Sequence, residues 1–458
     1  MVKPVGLDKL KEYKSIFAGK RITVMGLGLL GRGLNDTLFL IECGAEVTVT
    51  DLKSKEQLAP SLEKLRDLPV RVKVAGHDPV DFVETDMVLR NADVPQSSTF
   101  LKLAREHKVP IEMDESLFCK YFKGTVVGIT GTRGKTTTTE MAFRVLQQVK
   151  PGVFIAGNIM GVATLPLLKR VTDQDTVVME LSSWQLQGFH DAHISPNASI
   201  FTNIYPDHLN RYTGMEEYVW DKKAIYLYQK GPDFCLFNRD QEATRRLYKE
   251  APAGRDFFSC ADAPVDLNLK IPGDHNISNV ASVWRLSTKL GVEDNIIRNV
   301  LENFAGVEHR LEPIGSKDGI HFINDSTSTT PVAGIMALKS IHAERIFLIA
   351  GGADKKLDLR PFAEAASRRA HKIALLEGTA TSTLCSDLTF YGAQDKIVGV
   401  FDNLKKAVLS LYEQASAGDA ILLSPGCASF GLFNNEFHRG DCFKAIVAEI
   451  LSSYRSHH

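Results

Sequence analysis

Between residues 126 and 137 an apolar run, Val126-Val127-Gly128-Ile129-Thr130, breaks into Gly131-Thr132-Arg133-Gly134-Lys135-Thr136-Thr137, and an amphipathic stretch over Glu140 to Gln148 follows. A buried strand that ends in a glycine-rich loop and feeds a helix is the signature of a layered α/β sheet, and it leaves few other folds open. The glycines let backbone N–H groups curl around phosphate oxygens, Lys135 adds charge, and Thr136 offers a hydroxyl to a phosphate-bound magnesium ion. The positive end of the following helix faces the same anion. The loop departs from the usual Walker spacing, with Ile129 where that pattern has glycine and glycines at 128 and 131 instead. The chemistry of a nucleoside triphosphate site survives this departure; a chance turn before a helix is the plain alternative.

The alternation of strand-like runs with helix-length amphipathic segments recurs along the chain. With 458 residues there is too much sequence for one ordinary core and room for two to four domains. Residues 1–115 carry strands at Arg21–Met25 and Glu46–Thr50. Residues 116–306 hold the phosphate loop and strands at Thr176–Met179 and Ala198–Thr202. Residues 307–458 supply five more, at Gly319–Ile323, Arg345–Ala350, Lys372–Leu376, Lys396–Phe401 and Ala420–Leu423. The expected fold is α/β in three domains: an N-terminal Rossmann-like unit, a central P-loop ATPase-like unit with a mostly parallel sheet, and a C-terminal Rossmann-like unit.

A second glycine loop, Gly26-Leu27-Gly28-Leu29-Leu30-Gly31, follows the first strand, and Asp51 closes the next strand twenty residues on. This matches the dinucleotide fingerprint, so an NAD-dependent dehydrogenase competes as a reading. The same geometry holds any nucleotide diphosphate, including a UDP-linked substrate, and glycines that only pack helix on strand are a third possibility. Bulk charge does not choose among them: 54 basic residues balance 55 acidic ones, which gives no footprint for nucleic acid. Seven cysteines without a Cys-x-x-Cys pair suit reduced thiols and a cytoplasmic address. No apolar run is long enough for a membrane span, and Met1 to Lys20 does not read as a signal peptide.

Further motifs stand in a fixed order: Ala156-Gly157-Asn158-Ile159, Met179-Glu180-Leu181-Ser182-Ser183-Trp184-Gln185-Leu186, Asn203 to Tyr212 with Asp207-His208, Gly273-Asp274-His275-Asn276 through Asn279, His309-Arg310, Asn324-Asp325-Ser326, and Ser424-Pro425-Gly426 through Ser429. Together with the phosphate loop they resemble the Mur ligases of peptidoglycan precursor synthesis, most of all the branch that adds D-glutamate. The resemblance covers all three blocks. It implies an ATP-dependent amide ligase that adds D-glutamate to UDP-N-acetylmuramoyl-L-alanine through an acyl phosphate. An L-glutamate-adding relative or another Mur ligase is the nearest alternative.

The resemblance also implies roles. Gly131, Thr132, Arg133, Gly134, Lys135, Thr136 and Thr137, with Asn279, Arg310 and Asp325, would bind ATP. Thr136, Glu180, His208 and Lys222, the last as a carbamate formed with CO2, would hold two magnesium ions, and Lys135, Glu180, His208 and Lys222 would be the catalytic set. Gly26, Leu27, Gly28, Leu29, Asp51, Leu52, Asn158 and Gln185 would meet the UDP-linked substrate, and Lys355, Ser429 and Phe430 the amino acid. A monomer with a hinge near Val307 to His309 is expected. By composition alone Lys222 is a solvated helix lysine, Glu180 a helix-capping acid, and Asn276 and Asn279 helix caps. Four departures stand out: Arg133 where the family often has asparagine, Tyr205-Pro206 for Thr-Glu, Thr327 for a lysine after Asp-Ser, and the order Asn435-Glu436-Phe437. The last two bear on the identity or handedness of the added amino acid.

Overall fold

The computed structural model describes residues 6–28, 31–159, 162–207, 211–252, 254–271 and 273–452. Leu29 and His208 lie outside the described residues. Among the described residues the strands form three sheets, one per third of the chain. In the first, the order from edge to edge is Val70–Lys73, Glu46–Thr50, Arg21–Met25, Met87–Arg90 and Ile111–Glu112, all parallel. In the second it is Arg255–Phe258, Phe234–Asn238, Ala198–Phe201, Thr125–Thr130, Thr176–Glu180 and Val153–Gly157, again all parallel. In the first sheet the chain winds outward in two directions from Arg21–Met25; in the second it passes from Thr125–Thr130 to the edge at Val153–Gly157, fills the gap with Thr176–Glu180, and then builds outward on the other side, and in both a glycine loop leaves the carboxyl end of that first strand. Such a switch point opens a crevice where ligands bind.

The third sheet departs from expectation. Its five anticipated strands are present and parallel, in the order Ile320–Asn324, Ala420–Leu423, Ile346–Gly351, Ala370–Leu376 and Ile397–Phe401, but a sixth, Glu312–Lys317, pairs antiparallel along the edge of Ile320–Asn324. The unit is therefore mixed rather than purely Rossmann-like. The register along this edge slips between Pro313 and Gly315, a bulge that accommodates the proline.

Sequence explains the central sheet well. Parallel strands covered on both faces need continuous apolar runs, and Thr176–Glu180, Ala198–Phe201 and all but the first residue of Thr125–Thr130 are buried. Gly128 sits in that strand because a Cβ would run into Pro196. The phosphate-loop helix starts at Lys135, directly after Gly134, and runs to Val149, five residues earlier than its amphipathic pattern indicates. It buries Met141, Ala142, Val145 and Leu146 against Val127, Ile129 and Ile200, each full burial contributing about 1.5–3 kcal/mol for the larger side chains. Between the second and third sheets His309 (φ 62°) and Leu311 (φ 44°) hold left-handed backbone without being glycine, beside the isolated bridge of Val307 to Arg310. No helix among the described residues is long and apolar enough to cross a membrane.

Candidate functional site

The phosphate loop is pinned from several sides. Gly131 (φ 146°) leaves no room for a Cβ beside Thr202, and Gly134 (φ 81°) none beside the side-chain oxygen of Asn279, so glycine is required at both. The Arg133 N–H donates to Asn203 Oδ1 at 2.8 Å, and the Arg133 carbonyl accepts from Thr202 Oγ1 at 2.7 Å and Asn203 Nδ2 at 3.0 Å. Thr132 Oγ1 accepts the Tyr205 N–H at 2.9 Å. Lys135 arches back over the loop, its Nζ donating to the Thr132 carbonyl at 3.1 Å. Burial pulls its ammonium down to about 8, with Glu180 working in the other direction.

Glu180 ends its strand beside this loop and is 1% exposed. One carboxylate oxygen, Oε1, accepts from Asn158 Nδ2 at 2.8 Å, and Asn158 Oδ1 accepts from Arg32 at 2.9 Å. The other, Oε2, is buried without a hydrogen-bond partner among the described residues. An orphaned carboxylate oxygen at the mouth of a phosphate loop fits a hard divalent cation, and the neighbouring Thr136 hydroxyl is the kind of oxygen ligand such an ion takes. Glu180 caps no helix: the helix after it is capped by Ser182.

Lys222 is no solvated lysine. It is 1% exposed, and its Nζ donates to the Gly131 carbonyl at 3.0 Å and lies 4.8 Å from the centre of the Tyr218 ring. Burial, and next the charge of Lys135, hold its ammonium well below the ordinary lysine range. Lys223 instead pairs with Glu250 on the surface. Asp207, 4% exposed, faces Arg133 at 3.6 Å and Lys355 at 4.0 Å.

The third unit reaches into this centre. Arg310 Nη2 donates to Thr136 Oγ1 at 2.9 Å. Asp325 accepts from the Leu311 N–H at 3.2 Å and from Ser424 Oγ at 2.8 Å, and burial raises its carboxyl to about 7. Lys355 Nζ donates to Thr329 Oγ1 at 3.1 Å. Ser429 is buried, whereas Phe430 is 62% exposed. Thr327 spends its hydroxyl on the His309 carbonyl at 2.8 Å, tying down the segment between the sheets. Asn279 packs against Gly134 and donates to Asn276 Oδ1 at 3.0 Å; no side-chain cap is made at the start of that helix.

The first glycine loop is shaped by Asp51, whose Oδ2 accepts the Gly28 N–H at 3.1 Å and Oδ1 the Lys53 N–H at 2.9 Å. Asn91 donates to the Gly26 carbonyl at 3.2 Å. Leu27 is fully buried, leaving only its backbone for a ligand, and Leu52 is 71% exposed.

Two domain families match the chain: the Mur ligase middle domain over residues 129–255 and the Mur ligase glutamate ligase domain over residues 309–427. The chain is 38% identical to the UDP-N-acetylmuramoylalanine–D-glutamate ligase of Roseiflexus sp. (strain RS-1), covering 94% of this chain and 98% of that one. The chain belongs to the Mur ligase family. The enzyme of the same name from Borreliella burgdorferi is 35% identical over 96% of this chain and 99% of its own length. Among solved structures, the UDP-N-acetylmuramate–alanine ligase of Thermotoga maritima superposes with a TM-score of 0.63 at 21% identity, covering 95% of this chain and all of that one. The MurF ligase of Thermotoga maritima, solved in complex with ADP, gives 0.57 at 18% identity, covering 95% and 97%. Both share the three-domain fold. As a Mur ligase the chain is an ATP-dependent ligase of peptidoglycan precursor synthesis, and the dehydrogenase reading of the first glycine loop falls.

In this Mur ligase the loop residues, Glu180, Lys222, Arg310 and Asn279 converge as the sequence leads one to expect. Gln185 does not join them. It is fully buried, its Oε1 accepts the N–H and hydroxyl of Ser182 at 2.9 and 2.8 Å, and its amide donates to Glu115. Those bonds complete a helix capping box, so Gln185 holds the helix rather than facing a substrate. Arg32 and Thr202, which tie Asn158 and the loop in place, carry no sequence signal. Asn203 lies within a quoted motif but gains its role only from the fold.

Proposed function

We propose that the chain joins D-glutamate to UDP-N-acetylmuramoyl-L-alanine at the expense of ATP. The observation that supports this best is the convergence of a pinned phosphate loop, an orphaned Glu180 oxygen and a buried, deprotonation-prone Lys222 at one point, in a chain related over almost its whole length to D-glutamate ligases. A carboxylate resists attack by an amine, and phosphorylation turns it into a mixed anhydride that an amine opens with loss of phosphate. Residues 131–137 cradle the ATP phosphates, Lys135 neutralises them, Asn279 lies at the adenine, and Arg310 and Asp325 take a phosphate and the ribose. Thr136 and Glu180 hold one magnesium ion, His208 and carbamoylated Lys222 the second. Magnesium supplies charge neutralisation on the phosphates. Lys222 suits the modification because only a neutral amine captures CO2, and its burial favours that form.

Gly26, the Leu27 backbone, Gly28, Leu29, Asp51 and Leu52 receive the UDP moiety, Asn158 the muramoyl side, and Lys355, Ser429 and Phe430 the glutamate. The units divide at residues 1–115, 116–306 and 307–458, and the enzyme works as a cytoplasmic monomer. The test supplies UDP-N-acetylmuramoyl-L-alanine, ATP and magnesium with either glutamate isomer, and follows phosphate release and product mass. D-Glutamate should give a product heavier by one glutamyl residue. Turnover with L-glutamate alone would move the enzyme to the L-adding alternative, and turnover with neither would sink the reading.

A further inference from the structure

Arg133 is the most unusual side chain in the loop. Its side chain is only 22% exposed, yet Nε and Nη2 are buried without a hydrogen-bond partner among the described residues. Its ion-pair partner among the described residues, Asp207, stays 3.6 Å away, outside hydrogen-bonding distance. Leaving such buried donors unsatisfied is costly. A side chain kept only to brace Asp207 would close that gap. The Arg133 backbone is clamped at its N–H and carbonyl by Thr202 and Asn203, so the side chain starts from a fixed point in the loop.

Its surroundings say what would satisfy it. Arg133 lies close enough to Lys135, Arg310 and Lys355 to repel all three, and Asp207 faces both Arg133 and Lys355. Arg133, Lys135, Arg310 and Lys355 share this centre with the carboxylates Glu180, Asp207, Asp325 and Glu436, yet none of these carboxylates takes a hydrogen bond from Arg133 Nε or Nη2. Guanidinium N–H groups left without a carboxylate suit an incoming anion, and the phosphate loop is where the γ-phosphoryl group would leave the nucleotide for the substrate carboxylate. The asparagine that the family resemblance leads one to expect is shorter and uncharged.

We propose that Arg133 is a catalytic residue of the group transfer, its planar fork hydrogen-bonding the phosphoryl group as that group leaves ATP for the substrate carboxylate. This rests on the ligase reading above and deepens it. In the first step the bond from the γ-phosphorus to the ADP oxygen breaks as a carboxylate oxygen bonds to that phosphorus. In the second the glutamate amine bonds to the acyl carbon, the carbon–oxygen bond to phosphate breaks, and the amine gives up one proton. Arg133 gains no bond and loses no proton; it satisfies its donors on phosphoryl oxygens whose charge is spread most widely in flight.

The experiment compares wild type, Arg133→Asn and Arg133→Lys in steady-state kinetics with ATP, UDP-N-acetylmuramoyl-L-alanine and D-glutamate, and in calorimetric titration with ADP, which also reports that each variant is folded. Arg133→Asn should lower kcat about 100-fold while the KM for ATP and the Kd for ADP stay within about threefold. Arg133→Lys, which keeps charge but not the fork, should fall between. The proposal is overturned if Arg133→Asn keeps kcat within about threefold, or if kcat and ADP affinity are lost in equal measure, since that marks ground-state nucleotide binding. A wild-type protein that binds ADP but releases no phosphate with either glutamate isomer would sink the ligase reading itself, and this proposal with it.

Discussion

At Asp325 burial and ligand binding pull in opposite directions. The carboxyl accepts two hydrogen bonds and feels Arg310, yet burial outweighs both and raises it from 3.8 to about 7. A folded-state value above the unfolded one means the folded protein binds the extra proton. Stability is therefore lost as pH rises from about 4 to about 7, by up to about 4 kcal/mol for this group. Asp325→Asn keeps an acceptor for the Leu311 N–H and an amide donor for the Ser424 hydroxyl. The variant should be more stable than wild type in urea denaturation at pH 8, with the gain shrinking by more than half at pH 5, while its KM for ATP rises. A gain that is the same at both pH values would show that the carboxyl does not titrate as described. At this scale the sequence is uneven. The glycines of the phosphate loop announce themselves through backbone demands, but Lys222 sits in a helix whose composition reads as solvated, and only the family resemblance separates it from Lys223. Burial is decided by what packs around a helix, which no window of neighbouring residues contains.

Elements were more legible than single side chains. The parallel strands of the central sheet are buried on both faces and so betray themselves as apolar runs, and Ala420–Leu423 was readable to the residue. The edge strand Glu312–Lys317 was not. Its sequence, Glu-Pro-Ile-Gly-Ser-Lys, has little β-propensity, the bulge breaks its alternation, and among the described residues its only strand partner is Ile320–Asn324. The helix Ser183–Ala192 shows the opposite case, where the motif resembles a ligand contact and the fold uses Gln185 as structure. Its capping box consumes Gln185 and buries that side chain on Glu115. Gln185→Leu keeps the backbone N–H bond to Ser182 but removes the reciprocal half of the box, leaving the Ser182 N–H and Glu115 short of a partner, so it should cost about 2–3 kcal/mol in the urea unfolding free energy. The folded fraction should bind the UDP-linked substrate with a KM within about threefold of wild type. A KM raised tenfold or more with unchanged stability would return Gln185 to the substrate site.

Across the whole molecule the three units are not equally joined. One apolar cluster runs from Tyr13, Phe39 and Leu89 in the first unit through Phe118 to Phe189 and Phe237 in the second, so these two share a core. The clusters on the two faces of the third sheet contain, among the described residues, none that precedes Leu311. Apart from Val307 at the boundary, which packs on the core of the second unit, the links described are polar: Arg310 to Thr136 at 2.9 Å, Lys355 to Asp207 at 4.0 Å, and Ser340 with His275 at 3.5 Å. Polar contacts of this kind hold domains together far less cooperatively than a shared core does. All three tryptophans, Trp184, Trp220 and Trp284, lie in the second unit and report on it alone. Far-ultraviolet circular dichroism should therefore show two thermal transitions, while tryptophan fluorescence follows only the one in which the first two units melt together. ADP touches both the phosphate loop and the Arg310–Asp325 face in the proposed site, so saturating nucleotide should draw the two transitions closer. A single transition, coincident by both probes without nucleotide, would mean that the polar contacts couple the third unit as tightly as a common core.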